Sequence, residues 1–263
     1  MILTVFMRRS PLGSKGLEVT FLGTGDAFAS RGRFQSGYVI EGAGCKILME
    51  AGPTVLCAMK RMNFNPADID VILISHLHGD HFGGLPFLIL EYLWESPRKK
   101  DMVIAGPRHL EERTWRLFNT MFPFSRGDIE RVKRQLKFVV IEPGSDQKIG
   151  KARVQAIRVP HMKRFCSLAL RVALDGKTIA FTGDSGWTDA LVPFTAGADL
   201  FVCECTYFDS TELDFHINYP LLERKSSSFD VGRLVLTHVG REVIDHNSDV
   251  KLEIASDGMK LHV

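Results

Sequence analysis

Six residues, His76-Leu77-His78-Gly79-Asp80-His81, limit what this chain can fold into more than any other stretch. They follow directly on Val71 to Ile74, a continuous apolar run of the kind that forms a buried strand. In an extended segment alternate side chains point the same way, so His76 and His78 can grip one point, while Gly79 permits a sharp turn that aims Asp80 and His81 at a second. The spacing does not fit one face of a helix, unlike the paired histidines of a helical zinc-protease motif. A solvated loop is the alternative, weighed against by the scarcity of histidine and by the buried strand in front.

Around this cluster the apolar pattern alternates between strand and helix. Leu17 to Phe21, Tyr38 to Ile40 and Lys46 to Met49 read as a strand and a hairpin; Thr54 to Met62, Leu85 to Trp94 and His109 to Phe122 have helical spacing. The second half is β-rich: Leu136 to Ile141, Val154 to Val159, Ser167 to Val172, Thr178 to Phe181, Leu200 to Cys205 and Leu234 to Leu236 are strand-like. Trp187 to Phe194 and Tyr219 to Lys225 fit short helices, and Leu252 to Ile254 with Met259 to His262 reads as a closing hairpin around Asp257-Gly258. Two strand-rich halves with helices between them predict two β-sheets packed face to face with helices outside, an α/β chain of four layers. No linker divides it, so a leader over residues 1–16, with Pro11, Gly13 and Gly16, is expected before one domain over residues 17–263.

Further ligand types stand at other strand ends: His161 after Arg153 to Pro160, Asp184 after Thr178 to Gly183, and His238 after Leu234 to Thr237. Imidazole nitrogen and carboxylate oxygen suit a zinc-type ion, and two ions sharing a water lower its pKa enough to supply hydroxide near neutral pH. The assignment is His76, His78 and His161 to a first metal, Asp80, His81 and His238 to a second, and Asp184 as the bridging carboxylate. Taken singly, His161 reads equally as a structural or surface histidine, Asp184 as a turn residue and His238 as an ordinary strand-end histidine; the claim rests on the set.

Composition excludes several classes. A formal charge of +2 marks no global preference for long nucleic acid or an acidic membrane, and no apolar stretch is long enough to span a bilayer. Five cysteines scattered through apolar stretches argue against a secreted disulfide framework and for the cytoplasm.

Five segments, in order, resemble the metallo-β-lactamase superfamily and within it the ribonuclease Z and phosphodiesterase branch: Phe21-Leu22-Gly23-Thr24-Gly25, Ser75 to Pro86, Val159-Pro160-His161, Phe181-Thr182-Gly183-Asp184 and Leu236-Thr237-His238. The resemblance implies the four-layer αββα sandwich of two mixed sheets, two divalent ions, zinc first with manganese or iron accepting the same ligands, and Asp80 among the catalytic residues. In that branch a further histidine between the bridging Asp and the last ligand donates a proton, and His216 occupies that stretch, with Glu204 placed to orient it; a surface histidine is the alternative. Cys203 and Cys205 beside Glu204 read as packing residues. Where ribonuclease Z carries a long arm that holds tRNA, this chain has only a short strand pair, Arg164 to Gly183. The Gly-Tyr found a few residues past the third motif in that branch is also replaced, by Ser167-Leu168.

The expected activity is therefore hydrolysis of a small phosphodiester, nucleotide or RNA end by a metal-bridging hydroxide, with homodimerisation implied by the resemblance alone. Lys163, Arg164, Arg31 and Arg33 are candidate substrate contacts, with solvated surface cations as the alternative. Acyl hydrolysis of a thioester, lactone or β-lactam is the second hypothesis. A non-hydrolytic metal-binding or redox protein is the third.

Overall fold

A computed structural model describes residues 16–124, 126–209 and 214–263; the expected leader lies outside the described residues except for Gly16. The chain runs β1 (Glu18–Gly23), β2 (Gly37–Gly42), β3 (Cys45–Met49), α1 (Val55–Arg61), β4 (Val71–Leu73), α2 (Gly79–Phe82), α3 (Leu85–Trp94), β5 (Met102–Gly106), α4 (Leu110–Met121), α5 (Arg126–Lys133) and β6 (Leu136–Val140). It continues through β7 (Asp146–Ile149), β8 (Ala152–Val159), β9 (Ser167–Leu174), β10 (Lys177–Phe181), α6 (Leu191–Thr195), β11 (Leu200–Glu204), α7 (Tyr219–Lys225), β12 (Leu234–Thr237), α8 (Arg241–Asp245), β13 (Glu253–Ile254) and β14 (Lys260–His262).

The strands form two seven-stranded mixed sheets, ordered β14-β1-β2-β3-β4-β5-β6 and β13-β12-β11-β10-β9-β8-β7. Alternation along each strand makes the layers. Val19 and Phe21 of β1, Ile47 and Met49 of β3, Val71 and Leu73 of β4, Leu168, Leu170 and Val172 of β9, and Leu200 and Val202 of β11 share one apolar cluster between the sheets. Their neighbours on the opposite faces, Leu48, Ile72 and Ile104, pack against Leu85, Leu88 and Phe118 of α3 and α4, while Phe201 and Cys203 pack against Leu191, Leu222 and Val243 of α6, α7 and α8. Strands covered on both faces carry apolar side chains on both, which is why Val71 to Ile74 reads as an unbroken run.

The parallel arrangement places the site. β3 and β4 run parallel in the first sheet. In the second, β10, β11 and β12 are parallel, and β8 shares their direction because β9 is antiparallel to both β8 and β10. The carboxyl ends of these strands therefore gather at one edge of each sheet, where open α/β sheets place their ligands.

Several expectations need correction. The last two strands are not a hairpin: β13 pairs in parallel with β12, and β14 pairs with β1 in the other sheet. The Asp257-Gly258 turn carries the chain between sheets because the Asp257 carboxylate accepts hydrogen bonds from Thr24 N (2.9 Å), Thr24 Oγ1 (2.7 Å) and Phe34 N (2.7 Å), and Phe21 O accepts one from Gly258 N (2.7 Å). The helix expected over Trp187 to Phe194 is confined to Leu191–Thr195. β5, α5 and β7 were absent from the sequence reading: β5 is short and follows a run of charges, and α5 and β7 are mostly polar.

Replacing Asp257 by Ala strands two backbone donors and one hydroxyl at the junction of the sheets. We expect Asp257→Ala to cost about 3 kcal/mol of stability in urea unfolding at an unchanged m value; a loss below about 0.5 kcal/mol would remove the turn from its role as a clasp.

Candidate metal centre

Four of the seven candidate ligands stand just past the carboxyl end of a strand. His76 follows β4, His161 follows β8, Asp184 follows β10 and His238 follows β12. Asp80 and His81 lie in α2, a single helical turn that begins at Gly79, so Gly79 opens a helix rather than a sharp turn; a Cβ there would touch nothing within 4 Å. Gly183 is the glycine the site requires. Its φ is +60°, and a Cβ would come within 2.7 Å of Leu168 O and 2.9 Å of Ser75 Cβ, so only glycine lets Asp184 sit this close to the first sheet.

The structure brings all seven expected ligands together. One ligand atom from each of His76, His78, His161 and Asp184 falls in a group spanning at most 4.8 Å, and so does one from each of Asp80, His81, Asp184 and His238. Asp184 belongs to both groups. Its Oδ2 is 3.7 Å from His76 Nε2, 3.7 Å from His161 Nε2 and 3.4 Å from His238 Nε2, and its Oδ1 is 3.1 Å from His81 Nε2. Asp80 Oδ2 lies 3.2 Å from both His81 Nε2 and His238 Nε2.

A second ring of polar groups fixes which nitrogen faces inward. Glu50 Oε2 accepts from His81 Nδ1 at 2.9 Å, and Phe215 O accepts from His161 Nδ1 at 2.8 Å. Thr206 has one hydroxyl proton, directed to Glu204 Oε2 at 3.0 Å, so at 2.9 Å it accepts from His238 Nδ1. Ser75 Oγ lies 3.0 Å from His76 Nδ1. With Nδ1 engaged in each of the three, Nε2 is the nitrogen left facing the interior, the arrangement of second-layer partners around metal-bound histidine.

Three buried atoms of the cluster, His76 Nε2, His81 Nε2 and Asp184 Oδ1, have no well-aligned hydrogen bond, although the last two lie 3.1 Å apart. Leaving such groups unpaired costs about 1–3 kcal/mol each, which the protein would not carry at a point of convergence without a ligand. Protonation tells the same story. Burial and His81 hold His76 well below the ordinary histidine range, burial and His161 lower His78, and burial lowers His161. Burial would raise Asp80 and Asp184, but His81 and His238 draw both far below the carboxylate range. Those carboxylates in turn outweigh burial and lift His81 and His238. One half of the cluster thus offers neutral imidazoles and the other stabilises positive charge, and the donor set fits two divalent cations.

His216 stands over the cluster, its ring edge-on to His161 with centroids 4.8 Å apart and stacked on His238 at 5.5 Å. Its Nδ1 is 2.7 Å from Glu204 Oε1. Burial opposes the charged ring, but the Glu204 carboxylate overrides it and the pKa is pushed up to about 9. Glu204 is itself fully buried, and also accepts from Ser185 N at 2.8 Å and Thr206 N at 3.2 Å. Gly186 admits this contact region: a Cβ there would collide with Asp214 O.

The four candidate cations separate. Arg33 is half-buried and donates to Thr24 Oγ1 (2.7 Å) and Ala255 O (2.5 Å), a structural assignment. Arg31 pairs with Asp245 at 2.7 Å on the rim of a cavity that Thr206 also lines. Lys163 and Arg164 are exposed in the loop after His161. Cys203 and Cys205 are buried among the helices of the second sheet, and burial pushes both thiols up.

Sequence reasoning missed Glu50 and Thr206. Glu50 was detectable as a charged residue closing the apolar run of β3, and both Glu50 (φ +63°) and His238 (φ +50°) hold the left-handed backbone that marks strained functional positions. Nothing in the sequence set Thr206 apart.

With this geometry in place, comparison with known proteins gives concordant results. A family model described as "Anti-Pycsar protein Apyc1" matches residues 17–251. The ribonuclease Z of Clostridium novyi (strain NT) is 25% identical over 277 positions, covering 85% of this chain and 89% of that protein. The human tRNase Z, short form, superposes with a TM-score of 0.74 at 26% identity over 94% of this chain and 99% of that one. The metallo-β-lactamase fold protein YhfI of Bacillus subtilis also gives a TM-score of 0.74, at 22% identity over 94% and 99%. Because 85% of 263 residues is about 224, roughly 50 of the 277 positions in the ribonuclease Z alignment face no residue of this chain.

Glu50 has no route to substrate except through His81 and Ser75. Glu50→Gln should weaken divalent metal binding by about 10- to 100-fold, read by metal content after dialysis against graded chelator, while retained wild-type affinity would reduce Glu50 to a structural residue.

Proposed function

The chain belongs to the family of the anti-Pycsar protein Apyc1, and from that premise we propose that it is a metal-dependent phosphodiesterase acting on small phosphodiesters. The observation that carries this reading is the convergence of imidazole nitrogens and two ionised carboxylates on a centre where three buried polar atoms lack well-aligned hydrogen bonds. His76, His78 and His161 would hold one cation, Asp80, His81 and His238 the other, and Asp184 would bridge them. Zinc is the expected metal, and manganese or iron suit the same donors. Bound there, two divalent cations lower the pKa of water and offset the charge of a phosphodiester.

The chain's own groups supply the remainder. His216, protonated at neutral pH by virtue of Glu204, donates its Nε2 proton to the leaving oxygen as the P–O bond breaks. Glu204 also sets the His238 tautomer through Thr206, so one buried carboxylate aligns the acid and a ligand. Support for a small substrate comes from the loop after His161, which occupies residues 162–166 before β9 begins, and from the roughly 50 positions that this chain lacks relative to the Clostridium novyi ribonuclease Z. Among the described residues no helix is long and apolar enough to cross a membrane.

Bis(p-nitrophenyl) phosphate should be hydrolysed by zinc- or manganese-loaded protein and not after chelation. Turnover of a lactone or thioester with no diester cleavage would replace the phosphodiesterase reading with acyl hydrolysis. His216→Ala should slow a diester with an alkoxide leaving group by about 100-fold or more, slow a p-nitrophenyl ester far less, and leave metal content unchanged.

The protonated form of His216 is the active one, so kcat should fall as pH rises through its pKa of about 9. Glu204→Gln removes the charge that raises this pKa, and the alkaline fall should move to lower pH. An alkaline limb that stays in place would assign it to another group.

A further inference from the structure

Beyond the metal cluster, a cavity of about 520 Å³ lies at the same edge of the first sheet. Arg108 follows the carboxyl end of β5, Glu142 follows that of β6, α4 contributes Arg113 and Arg116, and Arg164 and Phe165 come from the loop that leaves His161. Two residues, Met162 and Lys163, separate His161 from Arg164, a reach of at most about 11 Å between Cα atoms. The cavity therefore neighbours the centre without containing any of its ligands.

Its charges are unevenly satisfied. Arg108 is paired with Glu142 and Arg116 with Glu112, each at 2.7 Å. Arg113 and Arg164 have no carboxylate within ion-pair distance among the described residues. Instead the Phe165 ring holds both, with Arg113 Cζ 4.1 Å and Arg164 Cζ 5.5 Å from its centroid. An aromatic face orients a guanidinium while leaving its N–H edge free, and two guanidinium groups lining one concave surface suit a phosphate group, which guanidinium binds in bidentate fashion.

We propose that this cavity binds a phosphate group other than the one cleaved, with Arg113 and Arg164 as its donors and Phe165 as their support. That a diester is cleaved next to it rests on the function proposed above; the affinity for phosphate does not. The phosphate comes either from the substrate itself, as a second phosphate on the same nucleotide, or from a free phosphate ion.

Phe165→Trp puts a fluorescent ring beside both guanidinium groups of the otherwise intact metal-loaded protein. Inorganic phosphate should then produce a saturable emission change, absent from the wild-type protein, and Arg113→Ala in the same background should weaken it at least tenfold. An unchanged emission, or a change indifferent to Arg113→Ala, overturns the proposal. On the wild-type protein, phosphate should shield Arg113 and Arg164 from phenylglyoxal in peptide mass spectra, and equal modification with and without phosphate overturns it independently of any variant.

Two synthetic esters separate the sources: p-nitrophenyl thymidine 5′-phosphate with and without a 3′-phosphate. A KM ratio between them that Arg113→Ala changes about tenfold puts the second phosphate on the substrate. An unchanged ratio beside intact phosphate binding assigns the site to the free ion. Turnover of neither ester would count against the phosphodiesterase reading alone.

Discussion

Two buried glutamates govern the centre of this protein. A carboxylate shut away from water is tolerated only where donors surround it, and Glu50 and Glu204, both fully buried, each collect several. Glu50, just past β3, receives Ser75 N and His81 Nδ1. Glu204, at the end of β11, receives Ser185 N, Thr206 N, the Thr206 hydroxyl and His216 Nδ1. Each sheet therefore supplies one anion as an anchor: Glu50 orients His81, while Glu204 orients His216 directly and His238 through Thr206.

The packing below holds the anchors in register. Tyr38 is sandwiched edge-on between Phe21 of its own sheet and Phe181 of the other, at 5.3 and 5.5 Å. Its hydroxyl is 2.8 Å from Thr237 Oγ1, the residue before His238. A candidate ligand from the second sheet is thus seated by a side chain from the first. Asp257 does the same at the rim, where its carboxylate gathers Thr24 and Phe34 at the point where the chain passes between sheets.

The converging His and Asp residues were legible because strand-end chemistry is local: an apolar run followed by His or Asp shows both the strand and its exit, as at Ile74 to His76 and Phe181 to Asp184. The sandwich was legible because Val71 to Ile74 and Leu200 to Cys203 are apolar on both faces. What stayed hidden depends on partners distant in sequence. Asp257-Gly258 has the composition of a hairpin turn, and only its bonds to Thr24 and Phe34, more than 220 residues away, send the chain to the other sheet. Thr206 looks like any strand-end threonine until Glu204, His216 and His238 are placed around its one hydroxyl. Arg33, by contrast, looked available for substrate because its acceptors, Thr24 Oγ1 and Ala255 O, come into range only on folding.

The loop over residues 162–166 leaves from the end of β8, beside His161, and returns to β9 without contributing to either sheet. The entropy of closing a loop rises by only about 0.6 kcal/mol for each doubling of its length. Residues can therefore be added there over generations with little loss of folding stability and no disturbance of the two glutamates that align the histidines. Reach toward larger substrates and the chemistry of bond cleavage become separately heritable traits, so descent within this architecture can remodel what is recognised while leaving how it is cut untouched.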